Sequence, residues 1–335
     1  MLNALRRENH ILPALVLFLG ILSTSLALSL HPWLGTIVAL VSVVLVYLEI
    51  VTQLSFRAPP KRKPPVEDER FSRSMLAVND QEVAHYIAEG REGAPLAWIF
   101  HGWTGGACRM TFRAESFLER GWSVVLVDLP GHGASDSLTK WSAEESCTLL
   151  IQCVNQLAQQ KPELFTSGVV HYGHSIGAFI GLRISHRRDE LNEAVSMLGW
   201  ILESPMTGYT EIFDETCNLL KIPKIFRPTV LKKTLRHFNA INQNTANFSH
   251  LDEADVPKWG MPQESTLLVQ ANPDERLGAV HHERLIALMT GGSEESLLTT
   301  ALLDDLTHSG SHNSSSRKAA VDAWLDESFP THSSS

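Results

Sequence analysis

A serine hydroxyl is a weak nucleophile in water and becomes useful only where the backbone exposes it beside a base. The pentapeptide Gly173-His174-Ser175-Ile176-Gly177 has the residue types for such a position. It follows the apolar run Gly168 to Tyr172 and leads straight into the helical run AFIGLRIS. A strand turning sharply into a helix leaves the serine exposed at the helix N-terminus, and small residues on either side relieve the clashes of that turn. The helix end also favours negative charge developing on a substrate. As a bare pattern Gly-x-Ser-x-Gly arises often by chance; the strand before and the helix after give it weight.

Two further stretches could serve the same chemistry. Trp98-Ile99-Phe100-His101-Gly102-Trp103-Thr104-Gly105-Gly106 is an apolar strand ending in a glycine-containing loop. In acyl transfer a carbonyl oxygen becomes an oxyanion, and backbone N–H groups must already point at it. The amides of Trp103 and Ile176 are the candidate oxyanion-hole pair. The plainer reading of the loop is an ordinary strand-to-helix connection in which glycines only permit positive φ. The second stretch, Val124 to Asp136, ends in Asp128-Leu129-Pro130-Gly131-His132-Gly133-Ala134-Ser135.

In this order, His-Gly, then Asp-x-x-Gly-His-Gly-x-Ser, then Gly-x-Ser-x-Gly, the sequence resembles the α/β-hydrolase superfamily of serine esterases, lysophospholipases and serine aminopeptidases. The resemblance runs from about Met75 to Phe329. It implies that Asp128 and His132 shape a turn and are not catalytic. It also implies the chain order serine, acid, histidine. The acid is then expected just after the run Thr266 to Gln270, which points to Asp274, although the glycine usual three residues earlier is Ala271 here. Glu275 and Glu203 are the alternatives. The histidine is expected after the last strand, at His308, with His312 as the fallback; His281 and His282 open a helix and read as surface residues. In the mechanism so implied, His308 takes the proton of Ser175, Asp274 holds the imidazole, and an acyl-enzyme forms. A serine at the elbow favours ester, thioester or amide substrates, and the expected activity is hydrolysis of carboxylic esters; an aminopeptidase-like amide hydrolase and a non-catalytic, membrane-tethered binding protein of the same fold are the alternatives. No metal or organic cofactor is required, and no His/Cys/carboxylate cluster has zinc-site spacing.

These residues need a scaffold. Phe71 to Val78 and Glu82 to Ala88 flank Asn79-Asp80-Gln81 and read as a strand pair joined by a tight turn. Short apolar runs then alternate with helical stretches: Leu96 to Phe100, Ser123 to Val127, Gly168 to Tyr172, Met197 to Leu202, Thr266 to Gln270 and Leu297 to Leu303. The expected helices are Arg109 to Arg120, Ala143 to Gln160, Ile176 to Arg187, His282 to Met289 and Arg317 to Phe329. Runs buried on both faces and separated by helices predict an α/β fold with a mostly parallel, eight-stranded sheet. Residues 71–329 form the expected hydrolase domain, with a tail over 330–335. A small helical cap is expected over about 206–262, and Trp103, Met206, Phe213, Leu219 and Leu220 could line an acyl pocket beneath it.

Ahead of the domain, Ile11 to Leu30 and Leu34 to Leu54 are two apolar runs, each roughly 20 residues and long enough to cross a hydrocarbon core of about 30 Å. The break His31-Pro32-Trp33 carries no acid or basic Lys/Arg, so residues 1–56 read as a membrane hairpin, and the bilayer is an expected partner. Arg6 and Arg7 precede the first run, and a basic, Pro-rich linker, residues 57–70, follows the second. By the positive-inside rule both flanks face the cytoplasm, which predicts a multi-pass protein of the inner or cell membrane with a cytoplasmic catalytic domain. A cleaved signal peptide is the alternative for the first run. Glu49 lies near the cytoplasmic end of the second run and is expected to reach water.

The net charge is −9, but residues 1–65 carry six Lys/Arg against two acids, leaving −13 on the rest. So acidic a globular part, with no basic stripe, argues against a nucleic-acid ligand; the small acyl ester expected as substrate comes instead from the hydrolase resemblance and the membrane hairpin, which suggests an ester that partitions into lipid. The four cysteines form no Cys-x-x-Cys pair and are expected as free, mostly buried thiols.

Overall fold

The computed structural model describes residues 11–59, 63–290 and 297–330. Arg6, Arg7, Lys61, Arg62 and the tail 331–335 therefore lie outside the described residues. The chain divides into two compact units, one of residues 1–58, 138–145 and 209–254, the other of residues 59–137, 146–208 and 255–335.

The larger unit is built on one sheet. Its strands are β1 (Ser72–Val78), β2 (Gln81–Ala88), β3 (Leu96–Phe100), β4 (Ser123–Val127), β5 (Val169–His174), β6 (Met197–Glu203), β7 (Ser265–Ala271) and β8 (Leu298–Leu303), in the spatial order β1-β2-β4-β3-β5-β6-β7-β8. β1 pairs antiparallel with β2, and β2 antiparallel with β4; every other pairing is parallel. The eight-stranded, mostly parallel sheet expected from the apolar runs is the one observed. The turn between β1 and β2 is tighter than expected. Asn79 and Asp80 both adopt positive φ, 49° and 61°, so a two-residue turn closes the pair and Gln81 already belongs to β2.

β3 and β4 are buried at every position, which is why they read as continuous apolar runs. One face of the sheet packs on a core that includes Phe117, Trp122, Tyr172, Trp324 and Leu325. Phe117 lies in α3 (Thr111–Leu118), while Trp324 and Leu325 lie in the chain-closing helix (Ser315–Ser328). The first of these is shorter than the expected Arg109 to Arg120, because Ala107–Arg109 forms a separate 3₁₀ turn.

The smaller unit contains α1 (Ile11–Leu30) and α2 (Pro32–Leu54), both long and apolar enough to cross a membrane. Only His31 separates them. Pro32 begins α2, where its missing N–H costs nothing, and the His31 imidazole accepts from the Trp33 N–H. α4 (Ala143–Gln160) and α5 (Ile176–His186) follow in the chain, then α6 (Thr210–Leu219) and α7 (Arg227–Ile241). The last two belong to the smaller unit, where Leu48, Val51, Cys217, Ile222 and Val230 form a cluster joined by Phe213 and Leu220. Phe213 and Leu220, expected in an acyl pocket, thus pack on α2, whose apolar side chains they cover; Leu219 is exposed.

Glu49 corrects another expectation, that of a side chain reaching water. It is buried, and its carboxylate accepts from Lys233 at 2.5 Å and lies 3.0 Å from His237 Nε2, both on α7. A buried carboxylate is tolerated here because cationic and hydrogen-bonding partners replace water. The linker has no helix or strand among its described residues. None of the four cysteines is in a disulfide; Cys147, Cys153 and Cys217 are buried and Cys108 half-buried.

Candidate active site

β5 delivers Ser175 to the start of α5 with φ 55° and ψ −116°, a conformation that L side chains rarely adopt. The elbow tolerates no bulk on either side. A Cβ at Gly173 would lie 2.4 Å from Ala178 Cα, and one at Gly177 would lie 2.7 Å from the His101 carbonyl oxygen. Those two glycines are what allow the strand to enter the helix so abruptly.

His308 and Asp274 converge on this serine from loops that follow β8 and β7. His308 Nε2 lies 3.0 Å from Ser175 Oγ, and His308 Nδ1 lies 2.9 Å from Asp274 Oδ2. With the carboxylate accepting from Nδ1–H, Nε2 is left to accept the serine proton. Asp274 is itself held: the N–H groups of Arg276 and Leu277 donate to Oδ1 at 2.9 and 2.8 Å, and the Gln270 amide donates to Oδ2 at 3.1 Å. Burial would raise the Asp274 carboxyl, but the hydrogen bond from His308 and those backbone donors outweigh it and hold it at about 2.

The loop after β3 lies against the nucleophile. A side chain at Gly102 would come within 2.6 Å of His174 Nδ1 and 3.3 Å of Ser175 Cβ. Gly105 N–H donates to the Gly102 carbonyl at 2.9 Å and turns the chain back. Gly102, Trp103, Arg109, Arg113, His308 and His312 are among the residues lining a pocket here, and no carboxylate lines it among the described residues.

Residues 95–256, just under half of the chain, match the family described as serine aminopeptidase, S33. An esterase of Pyrococcus furiosus superposes with TM-score 0.56 at 15% identity, covering 81% of this chain and 97% of its own. Mouse α/β hydrolase domain-containing protein 10 gives 0.54 at 13% identity, covering 76% of this chain and 97% of its own. The chain has the α/β-hydrolase fold. Among curated proteins it is 27% identical over 127 residues to (E)-2-((N-methylformamido)methylene)succinate hydrolase of Acinetobacter baylyi, a match covering 38% of this chain and 44% of that relative. The chain thus spans less than half the length of that relative.

Within this α/β-hydrolase fold the three acidic candidates are occupied differently. Glu275 accepts from the His308 backbone N–H at 3.2 Å. Glu203 is fully buried and takes a two-pronged contact from Arg113 at 2.6 and 2.5 Å, a hydroxyl hydrogen bond from Tyr172 at 2.5 Å, and Arg317 at 3.3 Å. Burial would raise its carboxyl, but the Arg113 and Arg317 charges hold it well below the usual carboxylate range. Only Asp274 of the three hydrogen-bonds the His308 imidazole among the described residues.

Asp128 is a turn organiser. Its carboxylate accepts from Ala107 N–H at 2.7 Å, Ala134 N–H at 2.9 Å and Tyr86 hydroxyl at 3.1 Å. His101 links this turn to the loop after β3, its Nδ1–H donating to the Gly102 carbonyl and its Nε2 accepting from Leu129 N–H. Burial pushes its imidazole down to about 4, which keeps Nε2 an acceptor.

Sequence reasoning missed two supports. His174 Nε2–H donates to the His308 carbonyl at 2.9 Å, and Gln270 steadies Asp274. Both sit at the ends of strands that lead into the site, a position that offers the signal to look for. His281, expected at the surface, is buried, and its Nδ1 accepts from Thr207 N–H at 3.0 Å. The helix that carries it, Ala279–Thr290, starts three residues before the expected His282 and turns His281 inward. The fallback histidine, His312, lines the pocket, with its carbonyl accepting from Arg317. Burial and the charges of Arg109, Arg113 and Arg317 push its imidazole down.

Proposed function

We propose that this protein is a membrane-anchored serine hydrolase that cleaves carboxylic esters through Ser175, His308 and Asp274. The observation that carries the reading is the continuous chain Ser175 Oγ, His308 Nε2, His308 Nδ1, Asp274 Oδ2, with gaps of 3.0 and 2.9 Å. Ser175 attacks the substrate carbonyl while His308 takes its proton. Asp274 stabilises the imidazolium, and the oxyanion is met by the N–H groups of Trp103 and Ile176. His308 then passes the proton to the departing alkoxide, leaving an acyl-serine. Water, deprotonated by the same imidazole, attacks the acyl-serine and releases the acid with Ser175 restored.

A serine aminopeptidase would use the same residues, and the S33 match favours that second reading. An aminopeptidase must also hold its substrate's ammonium group, which calls for a carboxylate in the pocket. Among the described residues lining the pocket beside His308 there is Arg109 and no carboxylate, while Arg113 is engaged by Glu203; that lining supports an ester. The two apolar helices support an anchored enzyme acting on a lipid-partitioning acyl ester, with its catalytic unit in the cytoplasm.

Labelling by a fluorophosphonate probe tests the site. Wild type is expected to label, and Ser175→Ala and His308→Ala are expected not to. Labelling that survives Ser175→Ala would overturn the assignment. A comparison of acyl esters with aminoacyl amides of matched side chains separates the two substrate readings, and faster turnover of the amides would favour the peptidase.

A further inference from the structure

The two most exposed large apolar side chains among the described residues lie outside the apolar hairpin. They are Ile225, 80% exposed, and Leu219, 79% exposed, ahead of Trp33 and Leu30 at the tip of the hairpin. Leu219 is the last residue of α6, and Ile225 lies in a 3₁₀ turn, Lys224–Phe226, in the connection between α6 and α7. That connection is also unlike the rest of the globular chain in charge. From Thr216 to Leu251 the sequence carries Lys221, Lys224, Arg227, Lys232, Lys233 and Arg236 and no acid, in a chain of net charge −9. Lys221, Lys224, Lys232 and Arg236 are exposed; Lys232 and Arg236 stand one turn apart on α7, whose Val230, His237 and Phe238 are buried.

The position of this segment is fixed within its own unit. Leu220, Ile222, Phe226 and Val230 pack with Val44, Tyr47, Leu48 and Val51 of α2. Those α2 residues lie from about 5 to about 15 Å short of its last residue, at about 1.5 Å per residue. The buried Glu49 carboxylate, bonded to Lys233 and His237, locks α7 to the same turns, and Gln53 joins it through Lys140 and His237. The segment is thus held beside the closing turns of the helix proposed above to cross the bilayer. There, exposed Leu and Ile side chains meet acyl chains while lysines and arginines meet headgroups, the distribution of an element lying in the membrane interface.

We propose that the segment Leu219 to Arg236, from the end of α6 through the first turns of α7, is a membrane-interface docking element that inserts Leu219 and Ile225 at the acyl boundary and binds anionic phospholipid headgroups through Lys221, Lys224, Lys232 and Arg236. The proposal rests on the membrane-spanning reading of α1 and α2 and adds a second attachment to it. Its function is to hold α6 and α7 against the bilayer, so that the helices following β6 are fixed by the lipid surface as well as by the chain.

The test places an environment-sensitive thiol dye on the full-length protein at Ile225→Cys, Leu40→Cys or Glu92→Cys. Wild type labelled in parallel corrects for the half-buried Cys108. Each is reconstituted in bilayers of phosphatidylcholine alone or with one part phosphatidylglycerol to two, and quenching by lipid spin-labelled near the headgroup end of the acyl chain is read. Leu40 is exposed on α2 and reports the hairpin, while Glu92 is an exposed site of the larger unit. The expected result is several-fold stronger quenching at Ile225 than at Glu92, greater in the anionic bilayer, with the anionic gain lost in a Lys221→Glu/Lys224→Glu background. Quenching at Leu40 with Ile225 no more quenched than Glu92 would overturn the docking element and leave the hairpin standing. No quenching at Leu40 or Ile225 would overturn both. Equal quenching of Ile225 in the two bilayers would overturn the headgroup contact.

Discussion

At the scale of single residues the site turns on how three neighbouring carboxylates are divided. Asp274 faces the imidazole, Glu275 faces the His308 backbone, and Glu203 is consumed by Arg113, Tyr172 and Arg317. Asp274→Asn should therefore lower ester turnover by on the order of 10³–10⁴-fold, because the amide no longer holds the imidazole in the tautomer that accepts the serine proton. Glu275→Gln should cost less than about tenfold, since it only weakens one backbone hydrogen bond outside the proton path. Steady-state turnover of one soluble ester by both variants checks the pair, and the reverse ranking would move the triad acid to Glu275. At the elbow, Gly177→Ala should abolish probe labelling while Ala178→Gly, one position on, should retain it. The added methyl at 177 would meet backbone carbonyls rather than movable side chains, so the strand-to-helix turn itself must shift. Retained labelling by folded Gly177→Ala would show that the turn can yield.

Among the elements, the buried cluster around Glu203 joins α3 through Arg113, β5 through Tyr172, the end of β6, and the chain-closing helix through Arg317. Glu203→Gln removes the charge that pairs with two buried guanidinium groups and should destabilise the larger unit by about 3–5 kcal/mol. Urea unfolding measures the loss, and the fraction still folded should label at Ser175. Loss of labelling without loss of stability would instead make Glu203 part of the catalytic proton path. The pattern of what the sequence disclosed follows the same logic. β3, β4 and α4 have the ends expected of them because continuous burial or a long amphipathic run decides them locally. The meeting of Ser175, Asp274 and His308 at one place was legible because motif order sets them after particular strands. The inward turn of His281, the partners of Glu203 and the seat of Phe213 and Leu220 on α2 were not. Each depends on residues tens to well over a hundred positions away, and no local period encodes such a pairing.

For the whole molecule, the larger unit carries a built-in acid sensitivity. Burial pushes four of its imidazoles down, His85 and His101 to about 4 and His171 and His174 to about 3, and each is neutral in the folded chain. In the unfolded chain the same groups bind protons below about pH 6.5. The unfolded state therefore takes up more protons as pH falls, and stability must fall with it, beginning near pH 6.5 and continuing until the folded histidines themselves titrate at about 4 to 3. Each contributes about 1.4 kcal/mol per pH unit within that window, so four acting together reach about 5 kcal/mol per unit at their steepest. Against a total stability on the order of 5–15 kcal/mol, that slope should bring the unit to acid unfolding within a unit or two of its onset. Urea midpoints taken at half-unit steps from pH 7.5 to pH 4.5, as assay settings on the order of the window above, should be flat at first and then fall steeply. His85→Gln should shallow the fall by about one proton whatever it does to stability at neutral pH, because an amide takes up no proton on unfolding. A slope unchanged by that substitution would mean that His85 is already protonated in the folded chain, and the buried, neutral imidazole on β2 would have to be abandoned.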